Sequence, residues 1–398
     1  MNTHAETYDI AIIGAGPVGL ALARALSAQG LRSVVLEKQS LDAIANPQAD
    51  GRDIALTHLS RKILGEMGIW PAIPQGEVSP IVKAQVFNGG FDQHMDMHSD
   101  SEDALGFIVS NHLIRKAIYD SVAGDGNVTL LTDCTAKDIR IDAKGCHISL
   151  SSGGNLTAKL LVIADSRFSA TRQQLGIPAA KHDFSKVMMV CRMTHELTHD
   201  NTARECFLYD GWTLAVLPLN SDENGGYRSS VVITANPERN KEIAALDADA
   251  FARWAEAKLQ HRFGTMTLEN TRHSYPLVAT YAERFSGARW VLMGDAAVGM
   301  HPVTAHGFNF GLRGVQTLAE SIKLAGGDPA SPTALLRYDR QHRQATRPLY
   351  LATNGIVRLY TTDTPVAKVA RNVLLKGANL LSPVKGVLMK KLMEAEKH

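Results

Sequence analysis

The chain has 398 residues, 45% of them hydrophobic and 21% charged, with 42 basic against 40 acidic side chains and a net charge of +2. This is globular composition, which excludes a collagen, a coiled-coil rod or a disordered tail, and at about 150 residues per domain the length calls for two or three units. So even a balance of charge gives no electrostatic reason to expect nucleic acid as a partner.

Cys134, Cys146, Cys191 and Cys206 are too scattered for a metal knuckle and read as reduced thiols, and no metal site is expected. The opening residues are polar, with no secretory apolar core. No apolar run approaches the roughly 20 residues of a membrane span. The expectation is a cytoplasmic, soluble protein that at most touches a membrane surface.

Residues 8–13 form a short apolar strand that runs into Gly14-Ala15-Gly16-Pro17-Val18-Gly19. Residues 20–29 read as a helix closed by Gly30, and residues 33–36 as a second buried strand ending at Glu37, 23 positions after Gly14. In such a unit the first glycine permits the tight turn, the second lets backbone approach a pyrophosphate, and the third lets helix and strand pack closely. The helix N-terminus offers N–H groups to the anion, and the acid accepts from a ribose. The motif alone does not choose between FAD and NAD. Its place at the head of the chain, with no second copy, favours FAD.

Two later strands also end in acids. Residues 160–165 close on Asp165, followed by Ser166, Arg167 and Arg172. Residues 290–293 close on Gly294-Asp295, followed by His301-Pro302, Gly307-Phe308-Asn309 and a helical pattern over 309–325. Asp295 is suited to a ribityl or ribose hydroxyl, and N–H groups at Gly307–Asn309 to the pyrimidine edge of a flavin. The plainer reading is a crossover whose helix Asn309 caps.

Between these motifs the texture changes. Residues 186–194, 205–209, 212–219 and 228–235 read as short strands, with turns at Asp210-Gly211 and residues 221–226, and residues 247–262 read as a helix. With Met188 and Val190, the apolar residues Phe207, Trp212, Leu217, Pro218, Tyr275 and Pro276 are either walls of a pocket or plain core. Near the end, Ser382-Pro383 opens a helix whose Val384, Val387, Leu388, Leu392 and Met393 share one face among lysines. That pattern suits an anionic bilayer surface or a packing face on the body or a partner.

Taken together, these strings resemble the class A flavoprotein aromatic hydroxylases over about residues 6–360. The closest likeness is to the ubiquinone-biosynthesis branch of the UbiH, UbiF, UbiI and UbiM type. Gly51-Arg52-Asp53-Ile54-Ala55-Leu56 and the Gly294-Asp295…His301-Pro302…Gly307-Phe308-Asn309 series carry the branch likeness. The resemblance implies an α/β fold: a Rossmann-like FAD-binding domain over 1–180 and 271–360, an inserted antiparallel-sheet substrate domain over 181–270, and C-terminal basic amphipathic helices over 361–398. It implies FAD held by Gly14, Gly16, Pro17, Gly19, Glu37, Lys38, Arg52, Asn111, Arg115, Gly294, Asp295, Pro302, Gly307, Phe308 and Asn309.

The implied reaction hydroxylates a polyprenylated phenol or quinol with O2 through a flavin C4a-hydroperoxide. NAD(P)H or a reductase supplies electrons, and a quinone-biosynthesis complex is an implied partner. A hydroxylase of a soluble aromatic compound and a non-catalytic FAD-binding subunit are the alternatives. Two departures stand out. Ser166 replaces the usual glycine after Asp165, so that turn must differ or be strained. Ala305-His306-Gly307 replaces Gly-Gln-Gly, placing an imidazole near the expected flavin, and His306 is the one catalytic candidate.

Overall fold

The computed structural model describes residues 6–89, 94–98, 104–208, 211–301 and 306–361. Expected contributors Pro302 and the C-terminal helices beyond 361 lie outside them.

The first strand, Glu6–Ile13, sits at the centre of a sheet because its apolar residues are buried on both faces, as a parallel sheet covered by helices requires. Asn155–Ile163 and Trp290–Leu292 lie to one side, and Ser33–Leu36 and Val128–Leu131 to the other, all parallel. Their carboxyl ends therefore share one edge. Hydrogen bonds from Gly14 N–H to Leu36 O, Ala164 N–H to Ile13 O and Met293 N–H to Ile163 O tie the three motifs together there. Open α/β sheets bind ligands outside this edge.

A larger, mostly antiparallel sheet is built on Ala179–His195, which pairs with His273–Ala282 on one side and Tyr227–Ala235 on the other. Thr213–Leu219, Thr202–Phe207, Lys83–Asn88 and His94–His98 continue it outward. The expected insert over 181–270 thus supplies only its middle, with strands on both sides coming from outside that range. Its outer face is sealed by helices Pro237–Ala244 and Ala248–Lys258 over Met189, Cys191, Leu214, Val231 and Ile233. A third sheet, Asp53–Leu56, Gly106–Ser110 and Ser79–Ile81, lies against its inner face, where Ile81 and Ile108 meet Leu217 and Leu219. All four cysteines are free and buried. No helix among the described residues is long and apolar enough to cross a membrane.

Candidate functional site

Helix Pro17–Ser27 starts with Gly16 as its cap, and no side chain caps its first N–H groups. These donors need a partner from outside the helix. A Cβ built on Gly16 meets nothing within 4 Å, so the space in front of the helix is open. Gly14 has φ +108, and a Cβ there would lie 2.5 Å from Ala164 O; a Cβ on Gly19 would lie 2.1 Å from Gly14 O. The turn is thus built only for glycine at its two ends and left clear at its middle. Glu37 accepts from Ala15 N–H at 2.8 Å and Gln39 N–H at 3.0 Å, while Lys38 is exposed beside it. Asp165, at the neighbouring strand end, has a buried Oδ1 with no partner among the described residues. Uncapped donors, a cleared middle and an orphaned acceptor on one edge fit a polyol diphosphate such as FAD.

The turn after Asp165 takes the "differ" branch of the expectation. Ser166 is not among the residues at positive φ, and its carbonyl accepts from Ser169 N–H at 3.0 Å in an ordinary turn. Arg167 then reaches Asp295, donating from Nε at 3.2 Å and Nη2 at 2.9 Å, with Nη1 on Val278 O at 2.9 Å. Buried Arg172 donates to Ala296 O at 2.8 Å, fixing the loop after Gly294, itself at φ +58. His301 is packed edge-on against Phe184; burial and the Arg167 charge push its pKa down to about 4.

Asp50 forms a hub that sequence reasoning missed. Arg52 Nε donates to its Oδ2 at 3.0 Å, Asn111 Nδ2 at 2.7 Å, and the Tyr275 hydroxyl donates to its carbonyl at 2.7 Å. Burial pushes the Asp50 carboxyl up, but the bonds and charge of Arg52 outweigh it and hold it below the usual carboxylate range. The Arg52 guanidinium lies 5.4 Å from the centre of the Tyr275 ring. The available signal was an acid two positions before the motif arginine. Arg115, one helical turn past Asn111, makes no side-chain hydrogen bond or ion pair among the described residues.

Helix Gly307–Leu324 begins at buried His306, whose ring packs on Phe310. Phe308 is half-buried against the main core. Asn309 does not cap this helix. Its Oδ1 accepts from Thr57 N–H at 3.1 Å and its Nδ2 donates to Ala55 O at 2.8 Å, clamping the helix to the strand that follows Arg52.

The expected pocket residues do not all share a face. Strand pairing puts Phe207, Leu217 and Tyr275 on the inner face of the large sheet, the face on which the three-stranded sheet lies. Trp212 is a correction: it is core, packed edge-on against Trp254 under the outer helices. Pro218 pairs with Ser229 on that same outer side, and Pro276 is exposed there. The pleat puts neighbours in a strand on opposite faces, so Leu217 with Pro218, or Tyr275 with Pro276, cannot wall one pocket.

Residues 7–350 match the family described as FAD binding domain. The chain belongs to that family. It is 41% identical to ubiquinone hydroxylase UbiM of Neisseria meningitidis over 96% of this chain and 84% of that protein. It is 32% identical to ubiquinone hydroxylase UbiL of Rhodospirillum rubrum over 98% and 90%. Among solved structures, Pseudomonas aeruginosa PqsL in complex with 2-aminobenzoylacetate superposes with a TM-score of 0.75 at 19% identity, covering 92% of this chain and 100% of that one. p-Nitrophenol 4-monooxygenase PnpA from Pseudomonas putida gives 0.74 at 18% identity, over 98% and 99%. These two establish the shared fold. The motif-based resemblance is borne out, and the chain is an FAD-dependent monooxygenase.

Proposed function

We propose that this flavoprotein hydroxylates the aromatic ring of a polyprenylated phenol or quinol on the route to ubiquinone. One observation carries the reading: near-full-length identity of 41% to a ubiquinone hydroxylase, in a chain whose three motifs meet on one sheet edge. Bound FAD supplies the redox and oxygen-activating chemistry. In this reading the chain's own residues bind, orient and exclude water. The N–H groups after Gly16 and Pro17, with Gly14 and Gly19 shaping the turn, take the pyrophosphate. Glu37, with Lys38 beside it, takes the adenosine ribose. Asp295, after Gly294, takes the ribityl chain. Arg52, Asn111 and Arg115 stand by the ribityl and ring, and the start of the helix at Gly307 and Phe308 lines the ring.

The inner sheet face, with Phe207 and Tyr275, holds the substrate ring, and keeping water out there limits wasteful side reaction. O2 and a reduced nicotinamide or a reductase complete the turnover. The test is mass spectrometry of quinone intermediates in a strain lacking this protein. A prenylated intermediate lacking one ring hydroxyl should accumulate and disappear on complementation; an unchanged quinone profile would overturn the reading.

A further inference from the structure

One row of side chains crosses the inner face of the large sheet, from His273 through Val190, Val232 and Ala215 to Glu205 and Val86. At the His273 end the row is covered: a Cβ on Gly51 would lie 2.7 Å from the His273 ring and 3.0 Å from Val190. The adjoining row is covered as well, by the three-stranded sheet, through Arg192 on Asp53 at 2.6 Å and on Ser110. Between these covers, Val232, Ala215, Glu205 and Val86 point inward yet are only half-buried. Inward residues that stay partly open define a cleft, and it shares a face with Tyr275, which touches Asp50 and Arg52.

Glu205 is the anomaly in that cleft. Its neighbours along the row are apolar, and no described residue gives it a hydrogen bond or an ion pair. Arg204 and Cys206, beside it in sequence, turn to the outer face, where Arg204 lies over the Phe263 ring. Among the other charged or titratable groups on the inner face, Arg192 is engaged with Asp53, Arg228 with Glu269, His273 with Thr271 and Tyr275 with Asp50. Enclosure alone therefore acts on the carboxyl, pushing it up to about 8. A carboxyl kept in an apolar cleft without a partner is costly, and packing would be served better by leucine.

We propose that Glu205 is a catalytic residue whose carboxylate accepts the proton of a phenolic hydroxyl on the ring to be hydroxylated. The phenolic O–H bond breaks, a new O–H bond forms on the carboxylate, and the electron pair stays on the phenolate oxygen. That charge spreads to the ortho and para carbons and makes them better partners for an electrophilic oxygen. An ordinary glutamate faces a phenol about 6 pKa units above it, too uphill for efficient transfer; the cleft reduces that gap to about 2. The assignment rests on the proposed phenolic substrate.

The experiment compares holoenzyme with Glu205→Gln and Glu205→Leu. In single turnovers with a short-chain prenylphenol, the wild-type rate should rise about tenfold per pH unit up to about pH 8 and then level. Glu205→Gln should be slower by about 100-fold or more and lack that limb. A second measurement needs no turnover: 4-nitrophenol is bound to the oxidised holoproteins and its phenolate absorbance is titrated. Contact with the Glu205 carboxyl should place the wild-type midpoint about one pH unit or more below that of Glu205→Leu. Equal midpoints, or a Glu205→Gln rate within about threefold of wild type, would overturn the assignment. Shifted midpoints with no prenylphenol product from wild type would support the contact and instead overturn the substrate reading.

Discussion

Arg167 and Asp295 join the second motif to the third: one carboxylate oxygen accepts from both Nε and Nη2 of the guanidinium, at 3.2 and 2.9 Å. The two residues follow adjacent parallel strands, so the pair sets where the Asp295 carboxylate stands over the nucleotide edge. Asp295→Ala should lose both the proposed ribityl acceptor and the partner of Arg167, and emerge from gel filtration colourless. Arg167→Ala should keep the acceptor but leave it unpositioned, weakening FAD retention by about tenfold. Flavin absorbance per protein decides this, and full occupancy in Asp295→Ala would refute the role.

Gly16 and Gly19 are three residues apart but should answer substitution differently. Gly16 has φ −66 and ψ 171, open to any residue, and free space around its Cβ position. Gly16→Ala should leave the apoprotein within about 1 kcal/mol of wild type, while its methyl group intrudes where the proposed pyrophosphate site meets the helix. FAD affinity should fall by tenfold or more. Gly19→Ala brings a Cβ to 2.1 Å from Gly14 O, which forces the helix off its strand. That overpacking should cost about 3 kcal/mol and remove flavin and fold together. Urea denaturation of the apoproteins beside FAD titration separates the two effects.

The contrast between these glycines was legible in the sequence because the turn is local: its spacing states which position must be small and which must stay clear. The ends of the motif strands were legible for the same reason. Side-chain facing was not. Trp212 and Phe207 both read as pocket, but their faces are set by pairing to distant strands, and a register shift of one residue would exchange them. Asp50 was missed because its role comes from Asn111 and Tyr275, the latter 225 positions away. Asn309 was read as a cap or flavin neighbour because helix-start asparagines usually act locally. Here its amide reaches back 252 residues.

That long reach makes Asn309 a stability residue in the first instance. Its amide satisfies Thr57 N–H and Ala55 O, both at the strand carrying Asp53 and next to the Asp50–Arg52 hub. Asn309→Ala leaves a buried donor and acceptor unmatched and should cost about 2 to 4 kcal/mol. Asn309→Asp keeps the acceptor for Thr57 N–H but cannot donate to Ala55 O, and should fall at least as low as wild type minus one such bond. Urea midpoints followed by circular dichroism rank the three proteins. A wild-type midpoint for Asn309→Ala would show that the clamp is not formed in solution.

His342 gives the stability of the fold a dependence on acid. It is 1% exposed, stacked on Tyr338 and tilted against Phe285, and neither ring nitrogen has a partner among the described residues. Burial, aided by the Arg313 charge, pushes its pKa down to about 3. The unfolded chain, with an ordinary histidine near 6.5, takes up a proton below that pH that the folded chain refuses. Stability from this site is therefore intact above about 6.5, and declines as pH falls toward 3 by about 1.4 kcal/mol per unit. His342→Phe removes the titrating group while keeping a ring between Tyr338 and Phe285. Between pH 7 and pH 5 the variant should lose about 2 kcal/mol less than wild type, whatever its stability at pH 7. Denaturation curves at the two pH values measure that difference directly, and parallel losses would mean that His342 takes up its proton inside the folded protein.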